Sequence, residues 1–175
     1  MPPTTGHGRL RAISAGQIAI SSDPTETLIT YGLGSSIAVA AYDRMARVGA
    51  LMHAELTLGP ACGSEAERDP GRFVETGVAH MLAALHARGA RKDRLELRAA
   101  GGARITGGAL EECFGIGRRN VVALKKVLWQ NGILIRAYDV GGAVVRTLSL
   151  CIEDGMVELV TPTTARALGG DLTWF

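Results

Sequence analysis

The sequence predicts one α+β domain, a layered α/β sandwich built on mainly antiparallel sheet with two principal helices. Three observations carry that prediction. The chain has 175 residues, room for a single core that buries roughly two-thirds of the unfolded surface without disulfides or metals. Hydrophobic residues make up 47% and charged residues 21%, the balance of an ordinary globular domain. The apolar period switches from two to 3.6 only twice, so strands come in runs; a doubly wound α/β fold would alternate strand and helix throughout.

Residues 1–14 read as a flexible N-terminal tail and 15–175 as the domain. Met1 to Gly8 lack a basic n-region and an apolar h-region, so no secretory signal is expected. Gln17 to Ser21, Thr27 to Tyr31, Ser36 to Tyr42 and Val48 to Ala54 are short apolar segments parted by Pro, Gly and Asp, the pattern of strands. Gly59 to Gly71 (GPACGSEAERDPG) is rich in glycine, proline and charge and reads as a mobile surface loop. Val78, Met81, Leu82 and Leu85 then recur at helical spacing, predicting a helix over 74–88 that stops at Gly89. Leu95 to Ala100 reads as a strand running into Gly101 and Gly102. Val121, Leu124, Val127 and Leu128 predict a second helix over 117–131, stopped by Gly132. Ile133 to Tyr138, Val144 to Ile152 and Met156 to Val160 close the chain as strands, the last two joined by Asp154-Gly155, a hairpin signal.

Composition narrows the function classes. Nineteen Lys plus Arg against 17 Asp plus Glu leave a net charge of +2, too balanced for a protein whose main partner is nucleic acid or an anionic membrane. No apolar run approaches the ~20 residues of a membrane helix. Cys62, Cys113 and Cys151 form no C-x-x-C pair and fit neither a zinc motif nor a disulfide framework, so no metal and no cofactor is expected and a reducing cytoplasm is the natural compartment. The basic cluster from Arg88 to Arg98 has Asp93 and Glu96 among it and reads as a solvated helix end.

Polar groups set in apolar strands are the best candidates for chemistry. Ser36 follows a Gly-x-Gly turn and opens the run Ile37-Ala38-Val39-Ala40; His53 ends Gly49-Ala50-Leu51-Met52-His53; Thr30 closes the preceding strand. Adjacent antiparallel strands would bring Ser36 and His53 together as nucleophile and general base, with Thr30 placed to orient the imidazole. A histidine in an apolar strand is more often a satisfied core residue, and serines after glycine are more often turn residues. The residues alone leave both readings open.

Four motifs in order resemble the CheD family of chemoreceptor glutamine deamidases over about Ala15 to Val160. They are Thr30-Tyr31-Gly32-Leu33-Gly34-Ser35-Ser36-Ile37-Ala38-Val39, Gly101-Gly102-Ala103, Ile116-Gly117-Arg118-Arg119-Asn120, and Asp139, Gly141, Gly142 with Arg146. The resemblance implies a layered α/β fold, a nucleophile at 36, a base at His53 and a helper at Thr30. It also implies hydrolysis of receptor glutamine side chains to glutamate and ammonia. Gly34, Ser35, Gly101 and Gly102 are expected at the substrate, where backbone N–H groups of the glycine turn would hold the oxyanion. Expected partners are the cytoplasmic helices of chemoreceptors and a CheC-type phosphatase, with no nucleic acid and no membrane insertion.

The sequence departs from the family pattern at the decisive place, because Ser36 stands where the family has cysteine. A histidine can ionise a thiol near neutral pH but not an alcohol. Weak or absent turnover is therefore expected, with a non-catalytic adaptor as the alternative. The family's H-x-x-L-P segment also reads His53-Ala54-Glu55-Leu56-Thr57, which predicts an altered loop at the site.

Overall fold

The structure is a computed structural model and describes residues 8–58, 63–104, 115–163 and 165–167. Ten strands appear among these residues: β1 (Arg9–Ile13), β2 (Ile18–Ser21), β3 (Glu26–Leu33), β4 (Ile37–Asp43), β5 (Val48–Ala54), β6 (Glu96–Gly101), β7 (Ile135–Val140), β8 (Arg146–Cys151), β9 (Val157–Val160) and β10 (Ala165–Ala167). The helices are the short α1 (Gly63–Arg68), then α2 (Val74–His86) and α3 (Ile116–Gln130), with 3-10 turns at Pro70–Arg72 and Lys92–Arg94. The strands form two five-stranded sheets, ordered β1-β3-β8-β9-β10 and β2-β5-β4-β6-β7. Pairing is antiparallel except for β1 with β3 and β6 with β7. The α+β layered fold with mainly antiparallel sheet and two principal helices is the one the sequence predicts.

Strand alternation builds the layers. Ile37, Val39 and Ala41 of β4, with Val48, Ala50 and Met52 of β5, pack under Val78, Met81 and Leu85 of α2 and Leu124 and Leu128 of α3. The opposite pleat carries Ala38, Ala40, Tyr42 and Leu51, which meet Leu28, Leu33, Leu148 and Leu150 of the other sheet. β4 and β5 are thus buried on both faces, which is why they read as continuous apolar runs in place of an alternating pattern. The alanines of β4 keep the sheet-to-sheet layer thin, and at one end of it the polar residues sit.

Two segments differ from expectation. Arg9–Ile13, inside the stretch expected as tail, forms β1 and pairs in parallel with β3. Only Ile13 of this edge strand is buried, so RLRAI carries no alternation to read. Arg9 and Arg11 fasten it by ion pairs to the buried Glu26, 3.0 and 3.9 Å away. Within the expected loop 59–71, residues 63–68 are helical with only Ala66 buried, too little apolar surface to show a period. The Asp154-Gly155 hairpin signal is met: β8 and β9 pair antiparallel across a turn closed by the Cys151 N–H donating to the Met156 carbonyl and capped by Asp154. Residues 1–7, 59–62 and 105–114, including Cys62, Cys113 and His7, lie outside the described residues.

Candidate active site

β3, β4 and β5 bring the three predicted residues together at one end of the layer between the sheets. His53 lies opposite Ala38 in the β4–β5 register, and Thr30 lies opposite Ile13 in the β1–β3 register. The β3–β8 ladder slips between Thr30 and Leu33, and the chain crosses from one sheet to the other through Gly34, Ser35 and Ser36. Ser36 Oγ lies 2.8 Å from His53 Nε2, His53 Nδ1 lies 2.8 Å from Thr30 Oγ1, and Thr30 Oγ1 lies 3.1 Å from the Ile13 carbonyl oxygen.

These contacts fix the tautomer. The Ile13 carbonyl can only accept, so the single Thr30 hydroxyl proton is donated there. Thr30 Oγ1 must then accept from His53 Nδ1–H. Nε2 is left with its lone pair facing Ser36, whose hydroxyl donates to it. This is the protonation state a general base needs toward a nucleophile at position 36. His53 is 5% exposed and Thr30 fully buried. Burial lowers the His53 pKa from its ordinary value by disfavouring the imidazolium, which keeps the ring neutral near pH 7.

The segment carrying Ser36 is held from behind. The Ala103 N–H donates to the Gly34 carbonyl (2.8 Å), Asn120 Nδ2 to the Ser35 carbonyl (2.9 Å) and the Gly102 N–H to the Ser36 carbonyl (2.7 Å). Asn120 Nδ2 also donates to the Glu55 carbonyl at 2.7 Å, so one buried amide ties the Ser36 turn to the segment after His53. Gly101 has φ +115, and a Cβ there would lie 2.2 Å from the Ser36 carbonyl oxygen. A Cβ on Gly117 would lie 2.6 Å from the Gly102 carbonyl oxygen, so glycine lets the start of α3 close onto this turn.

A cleft of about 750 Å³ opens over these groups, lined by Ile13, Tyr31, Gly34, Ser35, Ser36, His53 and Glu55 among others. Gly34 and Ser35 therefore face the cleft, as expected for substrate contacts. Gly101 and Gly102 do not line it. They sit behind Ser36, and the Gly102 N–H is already committed to the Ser36 carbonyl. The altered loop is anchored: the Glu55 and Leu56 N–H groups donate to the Arg72 carbonyl, and the Glu55 carboxylate lies 3.3 Å from Arg72 Nε.

Sequence reasoning gave no role to Ile13 or Asn120. Ile13 acts through its carbonyl, which no side-chain pattern reveals. Asn120 was readable: it occupies a core-facing position on the Val121–Leu128 stripe, and a buried amide there needs partners. Among the described residues no group of three or more His, Cys, Asp or Glu is arranged to hold a metal.

Comparison with known proteins gives the family. The family described as CheD chemotactic sensory transduction matches residues 60–161. A protein of Anaeromyxobacter dehalogenans, named probable chemoreceptor glutamine deamidase CheD 2, is 38% identical over 152 residues, covering 86% of this chain and 93% of its own. The chain belongs to the CheD family. A relative of the same name type from Symbiobacterium thermophilum is 39% identical, covering 87% of this chain and 93% of its own length. One from Methanococcus maripaludis strain C6 is 34% identical over 83% of this chain and 90% of its own. This is a CheD-like chemotaxis protein, and no helix among its described residues is long and apolar enough to cross a membrane.

Proposed function

We propose that this CheD-family protein acts in the cytoplasm on chemoreceptor helices and hydrolyses a glutamine side-chain amide slowly, with Ser36 as nucleophile. The observation that supports it is the unbroken chain Ser36–His53–Thr30–Ile13 beside an open cleft. Ser36 Oγ attacks the amide carbon as its proton passes to His53 Nε2. The C–N bond then breaks as His53 delivers that proton to departing ammonia, leaving the glutamyl group as an ester on Ser36. A water, deprotonated by His53, hydrolyses the ester and returns the proton to Ser36, releasing glutamate.

The oxyanion is met by backbone N–H groups. In a trans peptide the N–H lies opposite the C=O, and no cis peptide occurs among the described residues. With the Gly34 and Ser35 carbonyls drawn toward Ala103 and Asn120, the N–H groups of Ser35 and Ser36 point away from those partners, and this reading assigns them to the oxyanion. The slow step is the attack. An alcohol must lose its proton within the transition state, whereas a thiol in the same place would be partly ionised beforehand. That same alcohol favours the second reading, an adaptor that binds a receptor or a CheC-type phosphatase without turning over.

The discriminating experiment incubates the unsubstituted protein and the His53→Ala variant with a purified receptor cytoplasmic fragment, reading ammonia and the Gln-to-Glu mass shift. Slow conversion that disappears in His53→Ala supports catalysis. Tight binding with no conversion in either form establishes the adaptor.

A further inference from the structure

The outer face of α3 carries Arg118, Arg119, Val122, Lys125, Lys126 and Trp129, all exposed. The helix, IGRRNVVALKKVLWQ, has four cations and no acidic residue. Their placement opposes the helix dipole: Arg118 and Arg119 sit in the first turn, where the positive end lies, and the last turn holds no basic residue. Gly115 precedes the helix without a side-chain cap. Helix stability does not account for this pattern.

Pairing among the described residues does not account for it either. In the Arg88–Arg98 cluster, conspicuous in the sequence, three cations have local carboxylate partners, Arg91 with Asp93, Arg94 with Asp43 and Arg98 with Glu96. Among the described residues no carboxylate forms an ion pair with Arg118, Arg119 or Lys126. These three line a depression of about 480 Å³ together with Thr57 and Gly115. Thr57 and Gly115 are the chain neighbours of Leu56 and Ile116, which line the Ser36 cleft, so the two concavities adjoin. The one acidic residue in the depression, Glu75, accepts a hydrogen bond from the Leu58 N–H at 3.0 Å and so serves the fold.

We infer that this face of α3 docks acidic side chains of the polypeptide whose glutamine enters the Ser36 cleft. The inference rests on the amide-hydrolysis reading above and adds what selects the substrate. Carboxylates flanking the target glutamine engage Arg118, Arg119 and Lys126, with the exposed Val122 between them as apolar contact. From Arg118 to Lys126 is eight residues, about 12 Å along the helix, so the acidic groups recognised lie within about that span. Glu55, at the cleft, has part of its charge offset by Arg72, which lies 3.3 Å from its carboxylate and also pairs with Glu65. The net charge of only +2 separates this local patch from a general polyanion surface.

The test uses the full chain carrying Arg118→Glu, Arg119→Glu and Lys126→Glu together. The probes are a purified receptor cytoplasmic fragment, a short glutamine peptide without acidic residues, and a duplex DNA. Three exposed attractions turned to repulsions should weaken fragment binding about 30-fold at low salt. The unsubstituted protein should lose most of that advantage at about 300 mM salt, where screening acts over a few ångströms. Hydrolysis of the neutral peptide should change less than about twofold, and the melting temperature should hold or rise, since glutamate in the first turn complements the dipole. Unchanged fragment affinity and salt dependence in the variant would overturn the inference, as would DNA binding as tight as the fragment's. If the unsubstituted protein neither binds the fragment nor hydrolyses the neutral peptide, the amide-hydrolysis reading fails and takes this inference with it. Peptide hydrolysis with charge-independent fragment binding sinks the inference alone.

Discussion

Thr30→Val is the most revealing single perturbation of the site. Valine keeps the β-branched shape and volume of threonine in β3, so neither strand fit nor packing should change much. What goes is one hydroxyl with two buried partners, the Ile13 carbonyl at 3.1 Å and His53 Nδ1 at 2.8 Å. Each partner left unsatisfied costs about 1–3 kcal/mol, so a stability loss of about 2–6 kcal/mol is expected. For a chain of this size that lowers the melting temperature by roughly 5–20 °C. The same loss removes what holds the proton on Nδ1. In the variant the Nε2–H tautomer becomes competitive, and that form cannot accept the Ser36 proton. A bias of 1–3 kcal/mol between tautomers corresponds to about 5–150-fold in the population of the competent base, and in rate. The assay is direct: long-range ¹H–¹⁵N spectra of the His53 ring should show the Nδ1–H tautomer in the unsubstituted protein and a shift toward Nε2–H in Thr30→Val. Thr30→Ser, which keeps the hydroxyl, should restore the original spectrum. An Nε2–H ring in the unsubstituted protein, or a ring unmoved by Thr30→Val, would refute the reasoning.

Three further expectations follow from the same contacts. The rate of amide hydrolysis should fall on the acid side with an apparent pKa below the ordinary histidine value of about 6.5, because burial lowers the His53 pKa and the base must be neutral. Between the folded and unfolded values the unfolded chain binds the extra proton, so His53 makes stability rise with pH up to about 6.5 and adds nothing above it; a urea midpoint that His53 moves above that pH would contradict this. Gly101→Ala places a Cβ 2.2 Å from the Ser36 carbonyl oxygen at φ +115, so a loss of at least about 3 kcal/mol and a displaced nucleophile are expected, read by thermal melting and by ammonia release. Asn120→Asp keeps the shape but replaces the Nδ2 donor, which serves the Ser35 and Glu55 carbonyls, by an acceptor. About 2–4 kcal/mol of destabilisation should accompany loss of activity, measured by urea unfolding; a stable and active variant would remove Asn120 from the support of the site.

The layers were legible because β4, β5, α2 and α3 each bury a continuous face and so leave a period in the sequence. β1 was not, since four of its five residues are exposed and an edge strand held by Arg9, Arg11 and Glu26 leaves no apolar signature. At the site, Thr30, Ser36 and His53 stood out as polar residues ending apolar strands. Their convergence was an expectation from strand order, and the register supplied the distances. Asn120 apart, the roles that escaped belong to the main chain. The Ile13 carbonyl sets the tautomer, and Gly102, expected at the substrate, instead uses its N–H to hold the Ser36 carbonyl. Sequence names side chains, whereas the direction of a peptide group is set by the fold. The α3 face was overlooked for a related reason. Its charges are no denser than those at residues 88–98, and what distinguishes Arg118, Arg119 and Lys126 is that no carboxylate among the described residues pairs with them.

The account turns on Ser36 standing in an aligned site whose limitation is the nucleophile. The most direct measurement is ammonia release from a receptor fragment by the Ser36→Cys protein relative to the unsubstituted one. With His53 neutral and 2.8 Å from the side chain at 36, a thiol that reaches even a few per cent thiolate at pH 7 should raise the rate by about a hundredfold or more, and His53→Ala in the same background should abolish the gain. A Ser36→Cys protein that folds, binds the fragment and releases no more ammonia than the serine form would contradict the account.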